Sequence, residues 1–175
     1  MTLIRRMKPE DCRVIAEAFT KQSWNKPLRQ FQDYIIGQAT GRREVLIAEF
    51  EGEFAGYLTV LRQSKYPPFG EKNIPEINDF NVLIKFRRKG IGTILMDAAE
   101  NLVAENAETV GIGVGLTPDY GAAQRLYAKR GYVLDGRGIF QRETFLNYGD
   151  RITVDDDLTL WLTKQLGNQN KNRRL

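Results

Sequence analysis

The sequence predicts a single α/β domain built on a mixed sheet, and three observations carry that prediction. Runs with strand character alternate with segments of helical periodicity in the order β-α-α-β-β-β-α-β-α-β-β. Glu51-Gly52 supplies a tight turn between two runs rich in Val, Ile, Phe and Tyr, which makes those strands an antiparallel hairpin. Later, the passage from Pro75 to Leu116 reads strand–helix–strand, a pattern that implies a parallel crossover. With no internal repeat and no second core, residues 1–166 are expected to form one domain, followed by a polar basic tail over 167–175.

Each element has its own local reason. "TLIRRM" reads as the first strand. "KPEDCRVIAEAFT" follows as a helix, with Pro9 near its start, acids in the first turn and an apolar stripe of Val14, Ile15, Ala18 and Phe19. "PLRQFQDYIIGQA" repeats Leu28, Phe31, Ile35 and Ala39 at helical spacing. The hairpin "REVLIAEFEGEFAGYLTVLRQ" leads into "SKYPPFGEKN", expected to be a mobile Pro/Gly loop bordering a site. "PEINDFNVLI" is the next strand, and a helix runs from about Ile91 to Asn106 with Ile91, Ile94, Leu95, Ala98, Ala99, Leu102 and Val103 on one face. "TVGIGVGL" is a strand. "TPDYGAAQRLYAKRG" is a helix with Thr117 as N-cap, Pro118 at N1 and Gly131 as its left-handed end. "YVLDG" and "DDLTLWLTKQL" complete the strands.

Composition removes several classes of function. The 175 residues hold 26 basic and 22 acidic side chains, a formal net charge of +4. Part of the excess sits in the tail, so nucleic-acid binding is disfavoured. No histidine is present, which excludes Ser-His-Asp and Cys-His triads and His-ligated zinc. The single cysteine, Cys12, cannot form an internal disulfide and fits a reducing compartment. No metal site is expected. No apolar run is long enough to span a membrane, and "MTLIRRMKPED" lacks the features of a secretory signal, so the expected setting is the cytoplasm.

The motif that carries chemistry is "NVLIKFRRKGIGTILMDAAENLV", where Arg87, Arg88, Lys89, Gly90 and Gly92 join a strand to a helix. A helix N-terminus offers unpaired N–H groups and about half a positive charge. Glycines admit close approach, and the three cations add full charge, so the junction reads as a phosphate cradle. It is not a Walker A loop, because Thr93 follows Gly92 with no lysine between. Nor is it a dinucleotide fingerprint, because Leu95 stands where a third glycine belongs.

"Arg87-Arg88-Lys89-Gly90-Ile91-Gly92" resembles the pyrophosphate-binding motif Gln/Arg-x-x-Gly-x-Gly/Ala of the GNAT acyltransferase superfamily. "AAQRLYAKRGYV" resembles that family's second motif, a helix carrying Leu-Tyr and ending in Gly-Phe/Tyr. The resemblance covers Arg43 to Val133 well and the flanks loosely. It implies the GNAT acyl-CoA N-acyltransferase fold, a mixed central sheet with splayed parallel strands flanked by helices, and acetyl-CoA as cosubstrate. Pantetheine would pair with the backbone of Val82 and Ile84, and an N–H near Leu83 would polarise the thioester carbonyl. The amides of Lys89, Gly90, Ile91, Gly92 and Thr93 would hold the pyrophosphate.

Tyr127 reads from its spacing alone as a core aromatic, while the resemblance makes it the general acid for the departing thiolate. The family often has asparagine at the place of Tyr120, which puts that cofactor contact in question. A carboxylate, directly or through water, must take the amine's proton. Strand alternation puts Glu76 and Asp79 on opposite faces, so only one can face a cleft; Glu76 is the preferred base, with Asp79 the alternative. The acceptor is expected to be a small amine, with a protein lysine or N-terminus as alternative, or the chain could be a CoA-sensing module without turnover. Ribosomal-type N-terminal acetyltransferases often carry glutamate at the place of Gly115, so that subclass loses support. Gly111, Gly113 and Gly115 share a strand face that a helix or a substrate could approach. Asp155 to Asp157 form either a polar turn or an attractor for a cationic amine. A homodimer is compatible with the resemblance, although no stretch specifies an interface.

Overall fold

The structure, a computed structural model, describes residues 1–167. The tail beginning at Asn168 lies outside the described residues. The elements are β1 (Thr2–Arg6), α1 (Asp11–Lys21), α2 (Leu28–Ala39), β2 (Arg43–Phe50), β3 (Glu53–Leu61), α3 (Pro67–Glu71), β4 (Glu76–Val82), α4 (Ile91–Ala104), β5 (Thr109–Gly115), α5 (Gly121–Lys129), β6 (Val133–Leu134), β7 (Phe140–Gln141), β8 (Thr144–Phe145) and β9 (Thr159–Gln165). The strands form one sheet in the order β1-β2-β3-β4-β5-β9-β7-β8, with β6 paired to β9. Among the described residues only β4 and β5 run parallel; the other pairs are antiparallel. No helix among the described residues is long and apolar enough to cross a membrane.

Local chemistry explains most boundaries. Glu51 and Gly52 both take positive φ (52° and 82°), the two-residue turn whose twist matches that of the hairpin strands. Gly131 ends α5 at φ 84°. Thr117 does not cap α5: its hydroxyl turns to Asp119, and a single turn of 3-10 helix, Pro118–Tyr120, precedes the helix. On α1, Cys12, Ile15 and Phe19 are buried while Val14 is 51% exposed, so the stripe is narrower than the periodicity suggests. On α4, Ile91, Leu95, Met96, Ala99 and Val103 are buried and Ile94 is 38% exposed.

Both faces of the sheet are covered. Tyr57 of β3 meets Phe19 of α1 and Phe31 of α2 edge-on, with ring centroids 5.7 and 5.5 Å apart. Burying a phenylalanine of this kind contributes about 2 kcal/mol. α4 packs on the opposite face, where the Gly92 Cα nestles against β4; a Cβ there would lie 3.1 Å from Phe80 Cζ. The core is continuous from Met7 to Leu162.

Two departures matter for the site. Residues 64–73 do not form a mobile loop: they carry α3, and Tyr66, Pro68 and Phe69 are buried. Tyr66 stacks on Trp161 at 4.2 Å and 6°, and Phe69 meets the same indole edge-on at 5.4 Å. These rings, with Phe140 and Phe145, make a second small core. They also settle what approaches the glycines of β5. A Cβ on Gly111 would sit 2.1 Å from the Phe69 ring, and one on Gly115 would sit 2.5 Å from Tyr120; Gly113 lies under Trp161. The protein's own aromatic rings occupy that face.

The second departure is in β4. Tyr57 pairs with Asn81 and Thr59 with Asn78, so two steps along β3 match three along β4. The extra residue sits at Asp79, where φ is +47°. This bulge puts Glu76, Asn78, Asp79 and Asn81 on one face of the sheet. The expected alternation of Glu76 and Asp79 is thereby corrected.

Candidate active site

β4 and β5 pair only at Glu76–Gly111 and Ile77–Ile112. Beyond these residues β5 continues with β9 as its neighbour while β4 stays with β3, and the two parallel strands part. A cleft of about 690 Å³ opens at the split, and both Glu76 and Tyr127 line it.

The far end of β4 runs into the basic turn. The strand stops at Val82, short of the expected Ile84. Leu83 is buried, and its amide donates to Ala55 O at 2.9 Å, so the N–H proposed to face a thioester is already engaged with β3. Ile84 lies in a separate 3-10 turn, Ile84–Phe86, with its amide donating to Gln22 Oε1 at 3.1 Å. By antiparallel alternation the backbone groups of Phe80 and Val82 point away from β3, into the gap. The Val82 carbonyl there accepts a hydrogen bond from Arg87 Nε at 3.3 Å.

At the turn, Arg88 and Gly90 both take positive φ, 62° and 78°. A Cβ on Gly90 would meet nothing within 4 Å, so its glycine serves the backbone conformation and the space beside it is open. The first backbone bond of α4 is Ile94 N–H to Gly90 O at 3.1 Å, and no side chain caps the helix. The amides of Ile91, Gly92 and Thr93 are therefore free to bind an anion. Arg87 lies over the Trp24 ring at 5.3 Å and Lys89 over Phe50 at 4.8 Å, and among the described residues neither they nor Arg88 form an ion pair. Three unpaired cations beside three unbonded amides fit a pyrophosphate.

Glu76 begins β4 and is 3% exposed. Its Oε2 accepts from Ser64 Oγ at 2.5 Å and its Oε1 from Asn78 Nδ2 at 2.8 Å. Burial pushes its carboxyl above the ordinary glutamate range, against these hydrogen bonds and the pull of Arg43 and Lys65. Asp79 is held quite differently. Oδ1 accepts from Lys26 Nζ (2.5 Å) and Asn81 Nδ2 (2.8 Å), and Oδ2 from Gln30 Nε2 (2.8 Å), Tyr34 Oη (2.8 Å) and Tyr57 Oη (2.5 Å). Burial raises its pKa, but Lys26 and the tyrosine hydroxyls outweigh it and the net direction is downward.

Tyr127 is 5% exposed, and its hydroxyl has no hydrogen-bond partner among the described residues. Burial raises its pKa far above the ordinary tyrosine value, so the hydroxyl stays protonated. Tyr120, at the expected asparagine position, lies over Gly115 and lines the same cleft. The acidic trio divides: Asp155 accepts from Gln141 Nε2 and Arg142 Nη2, while Asp156 and Asp157 line the cleft. Among the described residues no group of three or more potential metal ligands occurs.

Arg43, Lys26, Asn81 and Trp161 line the cleft as well, and sequence reasoning passed over them as site residues. Arg43 opens β2, far along the chain from both motifs. Its only sequence signal was an arginine at the start of a strand whose centre, Val45 to Ala48, is apolar.

A model of the acetyltransferase (GNAT) family matches residues 10–132. No curated protein sequence matches the chain. Among solved structures it is similar to an N-acetyltransferase from Staphylococcus aureus Mu50, at 18% identity over 95% of this chain and 99% of that one, with a TM-score of 0.70. It is also similar to the Salmonella typhimurium acetyl transferase that modifies the N-terminal serine of ribosomal protein L7/L12, at 11% identity over 94% of each chain and a TM-score of 0.70. A third is yncA from Salmonella typhimurium, solved with acetyl-CoA, at 18% identity over 95% of this chain and 94% of that one, with a TM-score of 0.68. At these identities the likenesses show a shared fold.

Proposed function

The chain belongs to the GNAT acetyltransferase family, and from that membership we propose that it transfers an acetyl group from acetyl-CoA to a primary amine of a small molecule by direct attack in a ternary complex. The observation that carries the reading is the convergence of Glu76 and Tyr127 on one cleft, where the parallel strands part beside an uncapped basic helix start. The aromatic wall of Tyr66, Phe140 and Trp161 along that cleft supports a compact acceptor. A reducing cytoplasm is the proposed setting, and the lone buried Cys12 is compatible with it.

Acetyl-CoA supplies an acyl thioester. The amides of Ile91, Gly92 and Thr93, with Arg87, Arg88 and Lys89, would hold its pyrophosphate. The N–H of Val82, facing the gap, takes the role first assigned to Leu83 and donates toward the thioester carbonyl. Glu76, its pKa raised by burial, accepts the proton that the attacking nitrogen loses as the C–N bond forms. Tyr127 Oη gives a proton to the sulfur as the C–S bond breaks. Asp79 is excluded as the base because five donors hold it ionised and spoken for.

Calorimetric titration of acetyl-CoA tests this reading. Reversing the exposed charges, Arg88→Glu with Lys89→Glu, is a cleaner control than substituting the glycines, since Gly90 needs its positive φ and Gly92 abuts Phe80. Binding by the wild type should weaken about 10-fold or more in the double variant, since two phosphate contacts are lost. Tyr127→Phe should keep the affinity and lose about 100-fold in turnover. Absence of binding by folded wild-type protein would falsify the proposal, and binding without turnover of any amine would leave a CoA-binding module.

A further inference from the structure

Four cations line the cleft: Lys26, Arg43, Lys65 and Arg142. Lys26 is bound by Asp79, Arg142 reaches Asp155, and Lys65 is exposed. Arg43 is the exception. It is half-buried, and the register Arg43–Leu61–Glu76 across β2, β3 and β4 sets it on the same sheet face as Glu76. Its guanidinium lies over the Tyr34 ring, 4.2 Å from the centroid, and Nη1 donates to Thr59 Oγ1 at 2.5 Å. Among the described residues it makes no ion pair, because Glu76 turns its two oxygens to Ser64 and Asn78 instead. A guanidinium carries five N–H donors in one rigid plane. Here one of them is used within the protein, and the aromatic ring and the threonine hold the plane in place.

An oriented, half-buried arginine that lines a cleft without an acid partner is placed to meet an anion that arrives there. The cleft also contains Glu76, Asp79, Glu143, Asp156 and Asp157, which nearly balance its four cations and favour a singly charged anion at Arg43 over a dianion such as phosphate. A carboxylate carries one charge, and its two oxygens match the guanidinium fork. We infer that Arg43 anchors the carboxylate of the acceptor, which is a small amino-carboxylic acid whose amine is thereby presented to Glu76. The inference rests on the acetyl-transfer reading above and names the substrate class of that same site.

The test measures CoA release from acetyl-CoA with a panel of free amino acids, their carboxamides and the corresponding amines lacking the carboxyl group. It compares the wild type with Arg43→Met and Arg43→Lys, each also titrated with acetyl-CoA to confirm a folded cofactor site. The wild type should favour at least one acid over its carboxamide by about 10- to 100-fold in kcat/KM, expressed mainly in KM, because a charge-assisted pair binds substrate and transition state alike. Arg43→Met should collapse that ratio toward one, and Arg43→Lys should keep part of it, having the charge without the fork. Equal use of acids and carboxamides overturns the inference. So does an equal loss on both in Arg43→Met, the mark of a structural role. No turnover of any acid while acetyl-CoA binds also overturns it and leaves the cofactor reading standing. Failure of the wild type to bind acetyl-CoA overturns both.

Discussion

The start of β4 and its bulge hold carboxylates of the same strand, facing the same cleft, in opposite states. At the start, Glu76 is buried among neutral partners, Ser64 and Asn78, and burial wins: its pKa rises. At the bulge, Asp79 is also largely buried, with its side chain 15% exposed, but Lys26 and four neutral donors converge on it, and its pKa falls. The difference teaches that depth does not assign a carboxylate its role. The donor count and the presence of one ammonium do. On the proposed reading the raised pKa suits Glu76 to proton exchange, while Asp79 ties α2 and the segment before it to the sheet.

The most severe way to break this contrast is Asp79→Asn. It removes the charge that compensates Lys26 and should cost about 3–5 kcal/mol, the range for one half of a buried pair, read by urea unfolding. Because the Asp79 pKa is depressed, its contribution is present above the ordinary aspartate value of 3.8 and is lost as pH falls through its folded value. The variant should therefore lose that part of the acid-unfolding slope. Unchanged stability with abolished turnover would swap the two assignments.

Glu76→Gln should cost about 100-fold in turnover while leaving acetyl-CoA affinity in place. The wild-type rate should climb with pH as Glu76 deprotonates above the ordinary glutamate value of 4.5, and the variant should lack that limb. Stability runs the other way. A raised pKa means that Glu76 binds its proton more tightly in the folded state, so its ionisation destabilises the protein as pH rises from 4.5 through its folded value. At neutral pH the glutamine variant should match or exceed the wild type in denaturant midpoint, and any gain should vanish in acid. The smallest effect belongs to Tyr57→Phe, which removes one of the five donors to Asp79 and should cost about 1 kcal/mol, with turnover nearly intact. A loss as large as that of Asp79→Asn would mean that the hydroxyl, and not Lys26, keeps Asp79 ionised.

Much of this molecule was legible in the chain because its signals are local. The hairpin at Glu51-Gly52, the left-handed end at Gly131 and the basic turn from Arg87 to Gly92 each depend on a few adjacent residues and their backbone preferences. The helices are likewise readable from periodicity, though their buried stripes are narrower than drawn. α3 escaped because Pro67, Pro68 and Gly70 argue against a helix, and the contacts that hold it, the packing of Tyr66 and Phe69 on Trp161 and Phe140 and the bond from the Tyr66 hydroxyl to Asp135, are made with residues distant in the chain. The short β7–β8 hairpin escaped because two-residue strands leave no period to detect.

The sequence by itself determined the order of the longer elements, the family and the basic glycine turn at the start of α4, since these follow from spacing and backbone conformation within short stretches. Only the tertiary structure decided the chemistry of the cleft. The bulge at Asp79 exists in the pairing of β4 with β3, and it overrides the alternation that would have parted Asp79 from Glu76. The engaged amide of Leu83, the rings filled in over Gly111 and Gly115, and the unpaired guanidinium of Arg43 are all set by partners distant in the chain. Electrostatics and packing depend on what lies within a few ångströms in space, and no local pattern encodes that neighbourhood.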